Sequence, residues 1–255
     1  MSKSIAKRHQ LILNLLKEQG FVNVNELSNL LDVSLVTIRK DLKILESRNL
    51  LHRTHGSASL IDPYTTERNI HEKEKIGVEQ KLCIARAAVQ YIEPNDSIIL
   101  ASGSTILELA RQINGISPLT VVTASLNVAQ ILNIHAGTEV HQLGGGIRKS
   151  SNSAVGPFAE KMMQGYSCNK LFIGVDGIDP DYGLTTTNAL EASLNQVMIN
   201  SAQKVVVLAD STKFGRRGFG RICETSQVDI IITDGAVSDS MVRRVESLGV
   251  KVLVC

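Results

Sequence analysis

Residues 32–56 gather the side chains of a nucleic-acid contact: Ser34, Leu35, Val36, Thr37, Arg39, Lys40 and Lys43, then Arg53 and His55. Lysine and arginine reach guanine edges or phosphates, threonine bonds to either, and apolar groups touch a thymine methyl. A second set farther along suits an anion. Ser102, Gly103, Ser104 and Thr105 place hydroxyls and backbone amides just ahead of a helical segment, where the positive helix end favours a phosphate. Arg148 and Lys213 can balance an anion, Thr123 and Ser125 can bind hydroxyls, and Asp176 can accept a hydrogen bond from a sugar hydroxyl. Gly145 lies in a glycine run before Arg148, which alone reads as a turn, and Glu191 reads as a solvated helix residue.

The first set needs a helix to present it. Ile5, Leu11, Ile12, Leu15 and Leu16 recur at helical spacing, with Gly20 as a stop. A second, short helix follows, with Asn25 as its N-cap and Leu27, Leu30 and Leu31 as its apolar stripe. Asp32 and Val33 turn the chain, and Ser34 caps a third helix over residues 35–48. At about 100° per residue, Ile38, Leu42 and Leu45 face inward, while Val36, Lys40, Lys43 and Ser47 face outward, flanked by Thr37 and Arg39. This arrangement is a helix-turn-helix with a cationic recognition face. The alternating stretch around Arg53 and His55, broken at Gly56, predicts a two-stranded wing that touches phosphate or the minor groove.

Charge is distributed accordingly. The net charge is +2, but residues 1–57 hold nine Lys/Arg against five Asp/Glu, an excess of four cations, so the remainder is acidic. With 43% hydrophobic and 20% charged residues the chain has the composition of a globular protein, not of a disordered one. No apolar run approaches the roughly 18 residues of a membrane span, and no apolar signal core follows the start, so a cytoplasmic location is expected. Cys83, Cys168, Cys223 and Cys255 are widely spaced and read as buried free thiols; His135 and His141 lack the spacing of a helical metal pair. Neither a metal nor a cofactor is expected.

The second set needs a sheet. Residues 58–75 are polar and read as a connector, after which Leu82, Ala85, Val89 and Ile92 mark a helix. Seven apolar runs then alternate with amphipathic stretches: SIILAS, LTVVTAS, TEVHQLGG, KLFIGVDG, KVVVLAD, VDIIITDG and VKVLVC. This pattern predicts an α/β fold with a parallel sheet covered by helices, whose ligand sits beyond the carboxyl ends of the strands. The expected organisation is a winged helix-turn-helix over residues 1–57, a linker over 58–75 and a sensing α/β domain over 76–255. Most of the anion-binding candidates stand where these strands end.

Two groups of motifs carry a resemblance. VSLVTIRKDLKILE followed by RTHG resembles the winged helix of the DeoR family of bacterial sugar-metabolism regulators, with Lys40 where that pattern has arginine and Ser57 where it has glycine. ASGST, TASLNVA, GGGIRKS, FIGVDGID, YGLTT and LADSTKFG resemble the family's sensor domain, with Ala101, Ser104 and Ala124 where it has aspartate, threonine and asparagine. The resemblance implies a sensor similar in fold to ribose-5-phosphate isomerase and a phosphorylated sugar as effector. It also implies phosphate at Ser102 to Thr105, sugar at Asp176 and Arg148, Lys213 in the pocket, and a homodimer or homotetramer.

A working sugar-phosphate isomerase is the rival reading. Isomerisation needs a base, an acid and a cation at the enediolate. Asp176, Asp179 and Glu191 offer acids or bases, but YGLTTTNALEA has threonines where the isomerase pattern has a lysine and glycines. An RNA-binding adaptor fits less well, because aromatic residues are 4% of the chain and there is no tryptophan for stacking. Expected, therefore, is a non-enzymatic repressor that binds operator DNA as a homo-oligomer and responds to a phosphorylated sugar.

Overall fold

A computed structural model describes residues 5–19, 21–47, 50–54, 57–59 and 68–255. Contacts divide the chain into units Met1–Thr66 and Glu67–Cys255.

The first unit runs through α1 (Ile5–Gln19), β1 (Phe21–Asn23), α2 (Val24–Leu31), α3 (Leu35–Ser47), β2 (His52–Thr54) and β3 (Ser57–Ser59). Ile12, Leu16, Leu27, Ile38, Leu42 and Leu45 close its core, so α3 buries the stripe that its period predicts. Three local expectations change. Asn23, not Asn25, caps α2 by accepting a hydrogen bond from the Asn25 amide, because the helix begins directly after β1. Leu30 is 62% exposed, since the buried stripe of α2 is Val24, Leu27 and Leu31 and position 30 stands about 90° from its centre. The wing is a three-stranded sheet in the order β1-β3-β2, because Phe21–Asn23 pairs antiparallel with β3. Three residues are too few to show an alternating pattern.

The second unit opens with α4 (Ile70–Glu74) and α5 (Val78–Val89), then alternates through β4 (Ser97–Leu100), α6 (Ser104–Gln112), β5 (Leu119–Thr123), α7 (Leu126–Leu132) and β6 (Thr138–Gln142). A hairpin of β7 (Gly146–Arg148) and β8 (Ser153–Val155) leads to α8 (Pro157–Met163), β9 (Cys168–Gly174), β10 (Gly177–Asp179), β11 (Gly183–Thr186) and α9 (Ala189–Asn200). The chain closes with β12 (Ala202–Leu208), β13 (Gly220–Cys223), β14 (Ile230–Thr233), α10 (Asp239–Glu246) and β15 (Lys251–Val254). All seven apolar runs become strands of one sheet, ordered β15-β14-β12-β9-β4-β5-β6, and every pairing in it is parallel. The continuous apolar character of the inner strands, not shared by the half-exposed edge strand β6, has a direct cause. Ile98 and Leu100 pack into one core and Ile99 into the other, so both faces are covered. Two antiparallel pieces, β7–β8 and β10-β11-β13, are added to what the sequence predicts.

The order of strands fixes where a ligand goes. From β4 the chain steps outward through β5 and β6, then returns to β9 on the other side of β4 and steps outward again. The switch point thus lies between β4 and β9, where open α/β sheets hold ligands in the crevice beyond the strand ends.

Other expectations also shift. The stretch read as a connector is shared out at its ends: Ala58 is buried in the first core, and Ile70–Glu74 is a helix of the second unit. On α5 the buried face is Lys81, Ile84, Ala85 and Ala88, a period that apolar counting misses because it includes a lysine. Cys83 and Cys255 are joined as a disulfide with Cα atoms 5.9 Å apart, contrary to the free-thiol expectation; a sequence separation of 172 carries no information about distance in space. Cys168 and Cys223 are buried and free, and burial pushes the Cys223 thiol up to about 12. Among the described residues no helix is long and apolar enough to cross a membrane, and no group of His, Cys, Asp and Glu could hold a metal.

One polar contact sits inside the first core. Asp41 of α3 is 3% exposed and accepts from both Nε and Nη2 of Arg8 on α1, while His9 Nε2 lies 3.1 Å from its Oδ1. This two-pronged pair sets the angle of α3 against α1. Burial by itself raises the Asp41 carboxyl; the hydrogen bonds and charges of Arg8 and His9 outweigh it and hold the group below the usual carboxylate range. Its contribution to stability is therefore present above the unfolded value near 4 and is lost as pH falls through the lower, folded value. Replacing Asp41 with asparagine should cost about 3 kcal/mol, because a buried guanidinium loses its counter-charge. Urea melts read by amide exchange of α1 and α3 check this: the variant should be weaker at pH 7 and less pH-dependent below pH 4. A variant within about 0.5 kcal/mol of the parent at pH 7, the scatter of surface substitutions, refutes the clamp.

Candidate functional site

The recognition helix has the geometry that a groove requires. Asp32 adopts a left-handed conformation that ends α2, with its amide donating to Ser28 O, and the turn passes directly into Ser34. Ser34 Oγ accepts from the Thr37 amide at 3.2 Å and lies 2.9 Å from Thr37 Oγ1, which caps α3. Val36 is 73% exposed and Leu35 37%, and Arg39, Lys40 and Lys43 are also exposed. Val36, Arg39, Lys40 and Lys43 lie away from the Ile38, Leu42 and Leu45 stripe and Leu35 stands at its edge, so a cationic face with an apolar spot is free to meet a duplex. Arg53 has a different placement. Its Nε donates to Glu46 Oε2 at 2.8 Å and its amide to Glu46 Oε1 at 3.0 Å, so it braces the wing against α3. His55 lies outside the described residues.

The strand-end site forms at the switch point. Gly103 has φ 129°, a region that other residues avoid, and a side chain added there would meet nothing within 4 Å, so there is open space at the residue preceding α6, although Ser104 and Thr105 are themselves buried. Ser104 and Thr105 form that turn. Beside it, Ser102 Oγ donates to Glu191 Oε1 at 2.6 Å, and Arg148 Nη1 donates to Glu191 Oε2 at 2.6 Å. Both charged side chains are about nine-tenths covered. Arg148 also reaches Ser151 Oγ at 3.3 Å, which pairs with Ser153 Oγ at 2.7 Å.

Asp176, in the loop after β9, completes the arrangement. It accepts from Lys73 Nζ at 2.8 Å, from Thr186 Oγ1 at 3.1 Å and from the Thr187 amide at 3.3 Å. Thr186 Oγ1 is also 3.2 Å from Glu191 Oε2, so one hydroxyl proton serves two carboxylates. Burial would raise the Asp176 carboxyl, but the charges of Lys73 and Lys213 and the bonds from Lys73 and Thr186 hold it low and ionised. Lys81 Nζ donates to the carbonyls of Lys73 and Ile76. Burial pushes its ammonium down; Asp210 opposes this, while Lys213 and Lys73 add to it. The carboxylates of Asp176 and Glu191 are thus bonded to Lys73 and Arg148, with hydroxyls and the start of α6 beside them and the charges of Lys81 and Lys213 close by.

The predicted residues divide between this cluster and the scaffold. Ser102 and Arg148 share Glu191 as acceptor, Asp176 is linked to it through Thr186, Ser104 and Thr105 stand at the helix start, and the charge of Lys213 helps to lower the Asp176 carboxyl. Thr123 and Ser125 serve the turn into α7: Thr123 Oγ1 accepts from the Ser125 amide and Ser125 Oγ from the Val128 amide. Gly145 is required by packing, because a side chain there would come within 2.9 Å of the Val155 carbonyl. Glu191 is not a solvated residue. Its amide is capped by Asn188, and its carboxylate turns inward to Ser102 and Arg148. Lys73 and Lys81 escape a reading of strand ends because they precede the first strand; the signal available is Lys81 falling on the buried period of α5. A separate cleft of about 310 Å³, lined by Gln196, Asn200, Arg221 and Gln227 among others, contains none of these residues.

Comparison with known proteins follows the same division. Residues 8–64 match the DeoR-like helix-turn-helix domain and residues 76–235 match the DeoR C terminal sensor domain. A protein of Escherichia coli O157:H7, named provisionally as an aga operon transcriptional repressor, is 36% identical over 98% of this chain and 93% of its own length. The HTH-type transcriptional regulator GlpR of Haloferax volcanii is 35% identical over 97% of each chain. The HTH-type transcriptional repressor GlcR of Bacillus subtilis is 31% identical over 95% of this chain and 93% of its own. Each of these is named as a regulator, in agreement with the non-enzymatic expectation. A solved ribose-5-phosphate isomerase in complex with phospho-erythronic acid aligns over 54% of each chain with 20% identity and a TM-score of 0.41, too loose a likeness to support an argument. The chain belongs to the DeoR family of helix-turn-helix transcriptional regulators and carries both the DNA-binding and the sensor domain of that family.

Proposed function

We propose that this protein is a repressor of a sugar-catabolism operon whose hold on DNA is set by a phosphorylated sugar at the ends of β4 and β9. DNA binding is assigned to the winged unit of residues 1–57 and sensing to residues 76–255. The observation that carries the sensing half is the convergence of Arg148, Lys73 and Lys213 with the open space at Gly103 ahead of α6 and the ionised Asp176 at the switch point. The helix start and the cations suit a phosphate, and the carboxylates and hydroxyls suit the rest of a sugar. A neutral sugar would bring these cations no negative charge. On the DNA side, α3 offers Val36, Thr37, Arg39, Lys40 and Lys43 to a major groove. A single winged helix makes few base contacts, so two protomers presenting α3 one helical turn apart form the expected reading unit.

Substituting both Arg39 and Lys40 with alanine should weaken binding to a duplex selected from random sequence by the parent protein. The salt dependence should flatten by about 0.9 in log–log slope for each phosphate that is no longer neutralised. Fluorescence anisotropy between 50 and 200 mM salt measures this, and unchanged affinity and slope contradict the interface.

For the sensor, thermal shifts with ribose 5-phosphate, glucose 6-phosphate and fructose 1-phosphate, each beside its unphosphorylated sugar, should separate phosphorylated binders from the rest. At 100 times its Kd a ligand adds about 2.7 kcal/mol of stability. Arg148→Ala should reduce that ligand's affinity at least tenfold, in the range expected when a charge-assisted hydrogen bond is removed. Equal shifts for sugar and sugar phosphate, or full affinity in the variant, contradict the reading.

A further inference from the structure

We infer that Lys73 is the residue through which the state of the strand-end site reaches the DNA-binding unit. The inference rests on the reading of the second unit as the sensor. Lys73 lies on α4, the first described helix after the division at Thr66 and Glu67, so α4 is the part of the sensor closest along the chain to the winged helix. Five residues are far too few to hold a helix by themselves. The position of α4 therefore depends on what it is tied to.

Its hydrogen-bonded ties run to the sensing machinery. Lys73 Nζ donates to Asp176 at 2.8 Å. The Ile70 amide donates to the Ser150 carbonyl at 2.6 Å, in the turn between β7 and β8 that follows Arg148. Glu74 pairs with Arg111 at 2.7 Å on α6, the helix whose first turn receives the anion. Lys81 binds the Lys73 carbonyl from α5. A phosphorylated sugar brings negative charge toward Lys73 Nζ and hydroxyl donors toward Asp176, so both of its functional groups act on the same ion pair. Occupancy thus changes how α4 is held, and α4 leads back along the chain to the recognition helix. The other site cations are placed differently: Arg148, Lys81 and Lys213 all follow α4 in the chain.

The test needs no identified ligand. Binding of the full-length protein to its selected duplex is compared among the parent, Lys73→Met, Lys73→Arg and Lys170→Met. The last breaks a more deeply covered pair of the same unit, Lys170 with Asp96 at 2.6 Å, far along β9 from the strand ends, so it is the stricter control for general destabilisation. Lys73→Met should change the Kd for DNA at least about fivefold, the lower end of ordinary coupling between sites. Lys73→Arg and Lys170→Met should stay within about twofold of the parent, and amides of Ile70–Glu74 should exchange faster in Lys73→Met alone. A Kd for Lys73→Met within twofold of the parent overturns the inference. So does an equal shift in Lys170→Met, which would mark general destabilisation, or a shift that Lys73→Arg fails to reverse. If no phosphorylated sugar stabilises the parent, the ligand reading falls by itself, while the ligand-free comparison still decides the role of Lys73.

Discussion

Parallel pairing of seven strands is the constraint from which the rest of the sensing unit follows. Because every strand runs the same way, each delivers its exit loop to one edge of the sheet, and the reversal of order between β4 and β9 opens a crevice at that edge. Ser102 leaves β4 and Asp176 leaves β9, so the two loops flanking the crevice carry the groups at the centre of the site. Antiparallel pieces then bring in what the main sheet does not supply: β7 contributes Arg148 and β11 contributes Thr186.

In this arrangement the protein satisfies its own charges. Arg148 is matched by Glu191 and Lys73 by Asp176, each pair largely covered. Covered ion pairs contribute little net stability, because desolvation offsets most of the attraction. Partners in such pairs can be exchanged for those of a ligand at modest cost, whereas deleting one partner leaves a buried charge and is expensive. A charged ligand can therefore enter by exchange of partners, without a large gain in binding energy. In the winged unit the same physics serves rigidity. The Arg8–Asp41 pair is almost wholly enclosed and joins α1 to α3 across a small core, which keeps Arg39, Lys40 and Lys43 on the outward face.

Much of this is legible in the chain itself, for identifiable reasons. Inner strands buried on both faces are written as unbroken apolar runs, while the edge strands β6 and β15, only partly buried, are read from their place in the alternation of strand and helix. The stripe of Ile38, Leu42 and Leu45 and the cap at Ser34 set α3 and its exposed face. Short strands such as Phe21–Asn23 and Gly177–Asp179 have too few residues for a period and stay hidden. Contacts between distant residues are hidden for another reason. Nothing local marks Glu191 as the partner of Arg148, Lys73 as the partner of Asp176, or Cys83 as the partner of Cys255. Thr123 and Ser125 show the opposite case, where the right residue type at a strand end is taken up by a turn.

The central claim is that the ligand site and the DNA site share one free-energy balance, and linkage makes it measurable from either side. Calorimetric titration of the phosphorylated sugar that stabilises the protein most, into the protein alone and into its complex with the selected duplex, gives two dissociation constants. The account predicts that they differ by at least about fivefold, with the weaker one in the presence of DNA. Equal constants would mean that the sugar site and the recognition helix do not communicate, and would contradict it.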